Sequence, residues 1–514
     1  MSLLSGPLLS AMALVISMGP ASEVRISLED VMRQTLANNF EIAQEKLNLS
    51  SALEDEVIAE SEFDPLLGAT VGASQSRNPG ASAFSDPEIT RAGSTQAGLE
   101  LSGKASTGAN YKIGFTTRQS DTNSNFQSLD PAYDSAITLD AFQPLLRDSG
   151  KDVNLWKVQA GRSAGAMAEH RVKARISDTI TAAVSAYWEL VFAAENLKTQ
   201  QALLEWALEL ERKIDLQVKA GALAPIEIIQ AQASAASAEE QVVTAKNEMA
   251  RRADILVSLM NPPLDSALWG STVVPAPLPQ VAPEAPMQAD YPAQALSARP
   301  ELLIAKAELE SRNVELVYLE NQTLPMLDLT ASLRLNGLRG AAQPVLDVNT
   351  GESRVSQLDG GFSESIGDAG SGDYYDYTLG LKFSYPLGGR GAMGRRAKSR
   401  FELEAAMLRL KKLERDVANE ARDAAREVAN GQQRIRAAAA ARDLAEKKLE
   451  AEMSKFEEGA SNSFNVLLYQ QDLAAQRARE ARAKVDYLVA KAMLARATGQ
   501  TLEFNGISLG AAPR

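Results

Sequence analysis

The feature that most constrains this 514-residue chain is that its plan is written twice. Glu41, Pro65 and Thr70 recur as Glu301, Pro325 and Thr330, each 260 positions later. Around them, 40–74 and 300–334 share one pattern. Helical spacing (Leu47, Val57, Ile58; then Leu309, Leu316, Leu319) runs up to the proline, and alternating apolar positions follow it (Ala69, Val71, Ala73; then Leu329, Ala331, Leu333). A period of 3.6 giving way to a period of 2 at the same point predicts a helix and then a strand in each copy. The later parts match too. The stretch 217–232, with Gly221, Pro225 and Glu227, aligns with 455–470, with Gly459, Ser463 and Asn465, 238 positions on. The expected organisation is a signal peptide over 1–21, a first repeat over 22–262, a linker over 263–299, a second repeat over 300–502 and a tail over 503–514.

Helix length adds a second constraint. No proline interrupts 152–219 or 392–458. Each stretch predicts a helix of about 67 residues, or roughly 100 Å. The helices after the glycine turns, 225–260 and 464–498, come to about 55 Å, and those opening each copy, near 31–62 and 301–323, to about 35–50 Å. Two short helices stacked end to end would run beside one long helix in each copy, with Gly221 or Gly459 at the hairpin tip, where glycine permits a left-handed turn. The apolar stripe is narrow: Leu403, Met407, Leu410 and Leu413, then an alanine run over 437–441. Small residues allow close helix packing, and a narrow stripe suits a hollow assembly better than a solid bundle. The segment 261–300 carries nine prolines and is expected to be extended rather than helical.

Composition bounds the function. The net charge of −13 and pI near 5.0 argue against nucleic-acid binding, which needs clustered Lys and Arg. The chain has no cysteine, so disulfides, thiolate metal sites and a cysteine nucleophile are excluded. The apolar run Leu8–Ile16, with Gly19 and Ala21 at a cleavage position, reads as a secretory signal, although no Lys or Arg precedes it. Elsewhere there is no apolar stretch long enough for a membrane helix, so any membrane segment must be built from strands. Two candidates, 136–144 and 377–386, have the length of tilted membrane strands. Tyr374, Tyr375, Tyr377 and Tyr385 cluster at the ends of the second, as an aromatic girdle requires. Polar segments 76–94, 121–134 and 336–373 are expected to be surface loops. An added hairpin, 96–101 and 110–117 turning at 104–108, is either two more membrane strands or a periplasmic or extracellular addition; four membrane strands per chain are expected, since each helix column should feed one strand. Since open edges are forbidden in lipid, strands this few require oligomerisation.

The duplicated helix–strand–strand–helix order, the Gln143-Pro144-Leu145-Leu146 and Tyr385-Pro386-Leu387 runs leading into long helices, and the tips at Gly221 and Gly459 together resemble the TolC family of outer-membrane efflux proteins. The resemblance covers about 27–502. It implies a mainly α fold with a membrane β-barrel part: long antiparallel coiled-coil helices forming a trimeric α-barrel, topped by a barrel of about 12 strands, four per protomer. It also implies a homotrimer in the outer membrane extending into the periplasm, contacting outer-membrane lipid, and docking to a periplasmic adaptor and an inner-membrane pump. Its function would be passive conduction in efflux or type I secretion. At the tip, the family's acidic positions are matched by Glu227 and Gln230 in copy one and by Asn465 and Leu468 in copy two. Ser461 stands where some members carry Arg. The resemblance thus implies a weakened acidic constriction. Three copies of Glu227 would form a ring that biases passage, or Glu227 is simply a carboxylate at the positive end of a helix.

Other motifs point nowhere else. Gly389, Gly391 and Gly394 match a dinucleotide-binding glycine pattern, but the helix that follows is far too long for that unit. His170 is the only histidine and sits mid-helix without companion ligands. The carboxylates lie at helical spacing with Lys and Arg, as on solvated faces. No nucleophile–base pair stands out, so neither enzyme activity, a cofactor nor a metal is expected. The competing class is a periplasmic coiled-coil adaptor or scaffold without its own channel. Drugs, metals, siderophores and proteins all remain open as cargo.

Overall fold

A computed structural model describes residues 23–80, 86–221, 223–281, 290–346 and 351–507. The expected signal segment 1–21, with Gly19 and Ala21, lies outside the described residues, as do 508–514 of the tail. In chain order the elements are β1 (Glu23–Ile26), α1 (Leu28–Asn38), α2 (Phe40–Glu60), β2 (Leu66–Pro79), β3 (Ile89–Lys104), β4 (Asn110–Thr122), β5 (Leu129–Pro144), α3 (Lys151–Asn154), α4 (Trp156–Lys219) and α5 (Pro225–Met260). They continue with β6 (Thr272–Pro275), α6 (Tyr291–Ala298), α7 (Pro300–Asn321), β7 (Met326–Ala342), β8 (Val345–Leu346), β9 (Ser353–Arg354), α8 (Phe362–Ser371), β10 (Tyr375–Ser384), α9 (Arg390–Glu457), α10 (Ser463–Ala497) and α11 (Thr501–Phe504). Among the described residues no helix is long and apolar enough to cross a membrane.

Local signals explain several boundaries. Ser27 and Asp30 form a reciprocal capping box that starts α1. The opening helix expected near 31–62 is two helices. Asn39 adopts an extended ψ, its side-chain oxygen accepts from the backbone amides of Glu41 and Ile42 at 2.9 and 3.2 Å, and its side-chain Nδ2 donates to the Leu259 carbonyl at 3.0 Å. A side chain that caps the next helix thus breaks the run. Pro225 opens α5, and Asn261, in the left-handed region with φ +48°, closes it. The proline-rich segment is not wholly extended. Pro292 stands in the first turn of α6, and Asp290 caps that helix by accepting from the Ala293 amide at 3.2 Å. Proline is tolerated there because that amide has no helical partner.

The chain divides into two compact units, each described by itself. The first comprises the described residues of Met1–Asn48, His170–Leu303 and Lys411–Arg514. Here β1 pairs in parallel with β6, near the buried ring of Tyr187. Arg299, its side chain 6% exposed, joins Glu301 and Glu420 at 3.0 Å each and donates to the Ala497 carbonyl at 3.2 Å. Gly431 lets α9 approach Tyr487 of α10, since a Cβ there would stand 3.2 Å from that ring.

The second unit comprises Leu49–Glu169 and Ile304–Leu410. Its centre is one antiparallel sheet of six strands in the order β10-β7-β5-β4-β3-β2. This corrects the expectation of four strands per chain. The added hairpin, β3 and β4, is inserted between β2 and β5 and pairs with both along its length. The expected loops are correspondingly shorter. The connection between β2 and β3 is 80–88 and that between β4 and β5 is 123–128. Within 336–373, β7 runs on to Ala342 and α8 forms over Phe362–Ser371. α8 packs on β7 at Gly337, where any Cβ would collide with the Ser365 carbonyl, and Ser365 and Ser135 hydroxyls lie 2.7 Å apart. Gly161 of α4 sits against Glu56 of α2, where a Cβ would come within 3.0 Å of backbone.

Candidate functional site

Two regions hold the residues singled out from sequence: the hairpin tips in the first unit and the sheet in the second.

At the tips, Gly221 and Gly459 follow α4 and α9 with φ of +75° and +74°. A Cβ at either would meet nothing within 4 Å, so the demand for glycine is conformational rather than steric. The Gly221 amide bonds the Val218 carbonyl and the Gly459 amide bonds that of Phe456, at 3.0 and 3.1 Å. Behind the turns, Leu210, Ile214, Ala231, Leu449, Val466, Leu467 and Leu473 form one buried cluster drawn from α4, α5, α9 and α10. The two tips are therefore packed as a unit, driven by burial of apolar surface.

Several polar groups at this end are tied to one another. Glu227 accepts the hydroxyl of Ser463, which joins the first turn of α5 to the first turn of α10. Asn465 lies in that same turn of α10, its amide bonded to the side chain of the capping residue Asn462 at 3.0 Å. Gln230 is exposed, as is Leu468 at 47%. Sequence reasoning misses Glu452. This buried carboxylate accepts the Ser461 hydroxyl at 2.5 Å and pairs with Lys455 at 3.3 Å. Nothing in its spacing separates it from the other α9 carboxylates; only the fold brings Ser461 back onto it. The Ser461 hydroxyl, followed by burial opposing it and then by Lys455, holds the Glu452 carboxyl below the usual carboxylate value.

A pH dependence follows. Because the folded value is depressed, the ionised Glu452 contributes stability that is complete above the unfolded value of about 4.5 and is lost as pH falls through the folded one. Acidification below about 4.5 is expected to loosen the tip, read as a rise in proteolytic nicking near Gly459. Glu452→Gln should show little of that pH dependence; equal dependence in both proteins would remove Glu452 from the account.

The sheet separates its two faces cleanly. Register pairs Val71, Ala97, Thr117, Ser135 and Gly337 across successive strands, and nearer the helices Leu67, Leu101, Ile113, Leu139, Leu333 and Tyr377. Since alternate residues share a face, one face carries Leu67, Ala69, Val71, Leu99, Leu101, Ile113, Phe115, Ile137, Leu139, Leu329, Leu333, Leu379, Leu381 and Phe383. The opposite face carries Thr70, Gln96, Glu100, Lys112, Thr116, Thr138, Asp140, Thr330, Ser332, Thr378 and Lys382. Polar groups on that face pair with one another: Lys112 with Glu100 at 2.7 Å, and Ser332 with Asp140 at 2.7 Å. Leu379, Leu381 and Phe383 are 66–71% exposed, a row that water would not tolerate cheaply. Tyr374, Tyr375 and Tyr377 are exposed at the start of β10 and Tyr385 just past its end. The rings of Tyr375 and Tyr377 stack at 6.3 Å. Both outer strands, β2 and β10, present free edges within the chain.

The remaining sequence motifs find no site. Gly391 and Gly394 lie within α9, and His170 is half-buried within α4. Among the described residues no group of His, Asp and Glu is placed to hold a metal ion.

Known proteins share this architecture. The sequence model of the family described as outer membrane efflux protein matches residues 291–500. No curated protein matches the sequence. The outer-membrane channel OprN superimposes with a TM-score of 0.65 at 16% identity, covering 92% of this chain and 89% of that one. The CmeC outer membrane channel of Campylobacter jejuni gives 0.64 at 17% identity, covering 92% and 86%. The outer membrane protein VceC of Vibrio cholerae gives 0.60 at 16% identity, covering 92% and 96%. Residues 291–500 are thus similar in sequence to the outer membrane efflux proteins, and the chain has the fold of these outer-membrane channels over nine-tenths of its length.

Proposed function

We propose that this chain is the outer-membrane exit duct of a tripartite efflux or type I secretion machine and conducts its cargo passively. One observation carries the reading: a six-stranded sheet whose helix-side half has an apolar face, covered farther along by α8 at Ser135 and Gly337, with a polar face opposite and two open edges. Such a sheet is stable in lipid only when its edges are closed by other copies. Three copies form the duct, with Tyr374, Tyr375, Tyr377 and Tyr385 as the aromatic girdle. The leader 1–21 directs export, and the repeats 22–262 and 300–502 supply matching halves.

The tips form the periplasmic gate. Gly221 and Gly459 shape its turns, while Glu227, Gln230, Asn465 and Leu468 surround the opening. Ile226, Ile229 and Phe464 are 56–60% exposed in the same first helical turns and offer an apolar contact to a periplasmic adaptor, through which an inner-membrane pump is reached. A scaffold without a channel would have no use for the apolar sheet face.

The test is conductance of the purified protein in a planar bilayer. Steady, ohmic channels are expected; a preparation that inserts yet never conducts would overturn the duct. Glu227→Ala removes the bond to Ser463 that ties the two tips together. Loss of one hydrogen bond to a charged group is expected to raise the open fraction by up to about tenfold. It should also weaken cation preference, read as a smaller reversal potential in a salt gradient. An unchanged current and reversal potential would place the gate elsewhere.

A further inference from the structure

The hairpin of β3 and β4 is no surface decoration. Its turn is fixed at the end of the sheet from which the helices leave. Lys104 donates to Glu62 at 2.6 Å, Glu62 also holds Lys157 of α4 at 3.0 Å, and the Thr107 carbonyl accepts the Gly150 amide at 3.1 Å. Gly108, at φ +93°, lies so close to the Asp148 carbonyl that no side chain would fit. From that anchor β3 runs 16 residues and β4 13, longer than the roughly 9–11 needed to cross a membrane. Leu99, Leu101, Ile113 and Phe115 continue the apolar face without a gap, and Glu100 and Lys112 pair on the polar one. A hairpin standing in water would have no reason to keep that alternation in register with its neighbours.

The edges then decide the assembly. β2 leaves the helical end and β10 returns to it, so β2 of one copy and β10 of another meet antiparallel. Six strands are too few for β2 to reach its own β10, since the smallest membrane barrels have about 8. We infer that β2 of each copy pairs with β10 of the next, and that three copies close a barrel of eighteen strands whose lumen passes bulky hydrophilic cargo. This rests on the three-copy duct proposed above. Eighteen strands about 4.8 Å apart and tilted by about 40° enclose a barrel roughly 36 Å across at the backbone, against about 24 Å for twelve. After allowing about 5 Å of side chain on each wall, the free radius is about 13 Å instead of about 7 Å.

The chain has no cysteine, so single cysteines can be placed in the full-length protein without background. Gln96→Cys and Thr116→Cys probe the polar face; Leu99→Cys and Ile113→Cys probe the apolar one. In the assembled outer-membrane trimer, a water-soluble maleimide is expected to label the first pair at least about tenfold faster, because the reactive thiolate forms only in water. Polyethylene glycols added to the extracellular side of a single channel should enter up to a radius of about 13 Å. Equal labelling of all four positions in an intact trimer, or a cut-off near 7 Å, would overturn the eighteen-stranded barrel and leave the duct standing. Absence of any outer-membrane trimer would overturn both.

Discussion

Leu381→Arg is expected to abolish stable assembly in the outer membrane. Leu381 lies mid-strand in β10, 68% exposed, on the apolar face with Leu379 and Phe383. An arginine on the lipid side of a barrel strand costs about 2–4 kcal/mol near the midplane. Three copies carry the change, so the assembly bears it threefold. The control lies three residues earlier on the same strand: Thr378→Arg, on the polar face, adds the same side chain where water receives it. Heat-modifiable trimer on semi-denaturing gels should be lost in the first variant and retained in the second. Equal loss in both would mean that β10 faces water or protein on both sides.

Ile214→Ala is expected to loosen the tips without touching the sheet. Ile214 is fully buried in the cluster that joins α4 to α5, α9 and α10. Removing a buried aliphatic side chain of that size costs about 2–5 kcal/mol through lost transfer energy and the cavity left behind. The groups around it are already small or tightly paired: Ala231 and Ala445 leave little to collapse into the gap. Amide exchange should accelerate by roughly 30-fold or more over 205–235 and 445–475, with the six strands unaffected. In a bilayer the same variant should raise resting conductance. A uniform acceleration across the chain would show instead that the tips unfold only with the rest.

How much of this was legible in the sequence depended on whether the signal was local. Pro225 and Asn261 bound α5 where the sequence places it, because a proline at the first turn and a left-handed residue after the last are both written in residue type. The hairpin glycines likewise announce their positive φ. The strands of the hairpin are harder. Gly93 and Gly103 fall near the two ends of β3, and the ends of β2 and β4 are polar (76–79 and 118–122), so that these ends look like loop. Nothing local says that this hairpin joins the main sheet; that follows only from pairing with β2 and β5. α6 was masked by its prolines, although Asp290 followed by Pro292 is itself a helix start. α8 was masked by glycine and serine, although the Glu364 carboxylate bonding the Gly361 amide at 3.0 Å is a capping signal. Glu227 was legible as a tip residue but not its tie to Ser463, since that bond spans 236 positions. Glu452 was not legible at all, because its burial depends on where Ser461 returns.

The most direct test of the duct is where the protein resides and how many copies it forms. The full-length chain should be expressed in a Gram-negative host, its membranes separated on a density gradient, and the outer-membrane peak solubilised in mild detergent for mass measurement. An outer-membrane species of three times the protomer mass is the result expected. A monomer released in the soluble periplasmic fraction would contradict it, and would leave the apolar face of the sheet without a solvent.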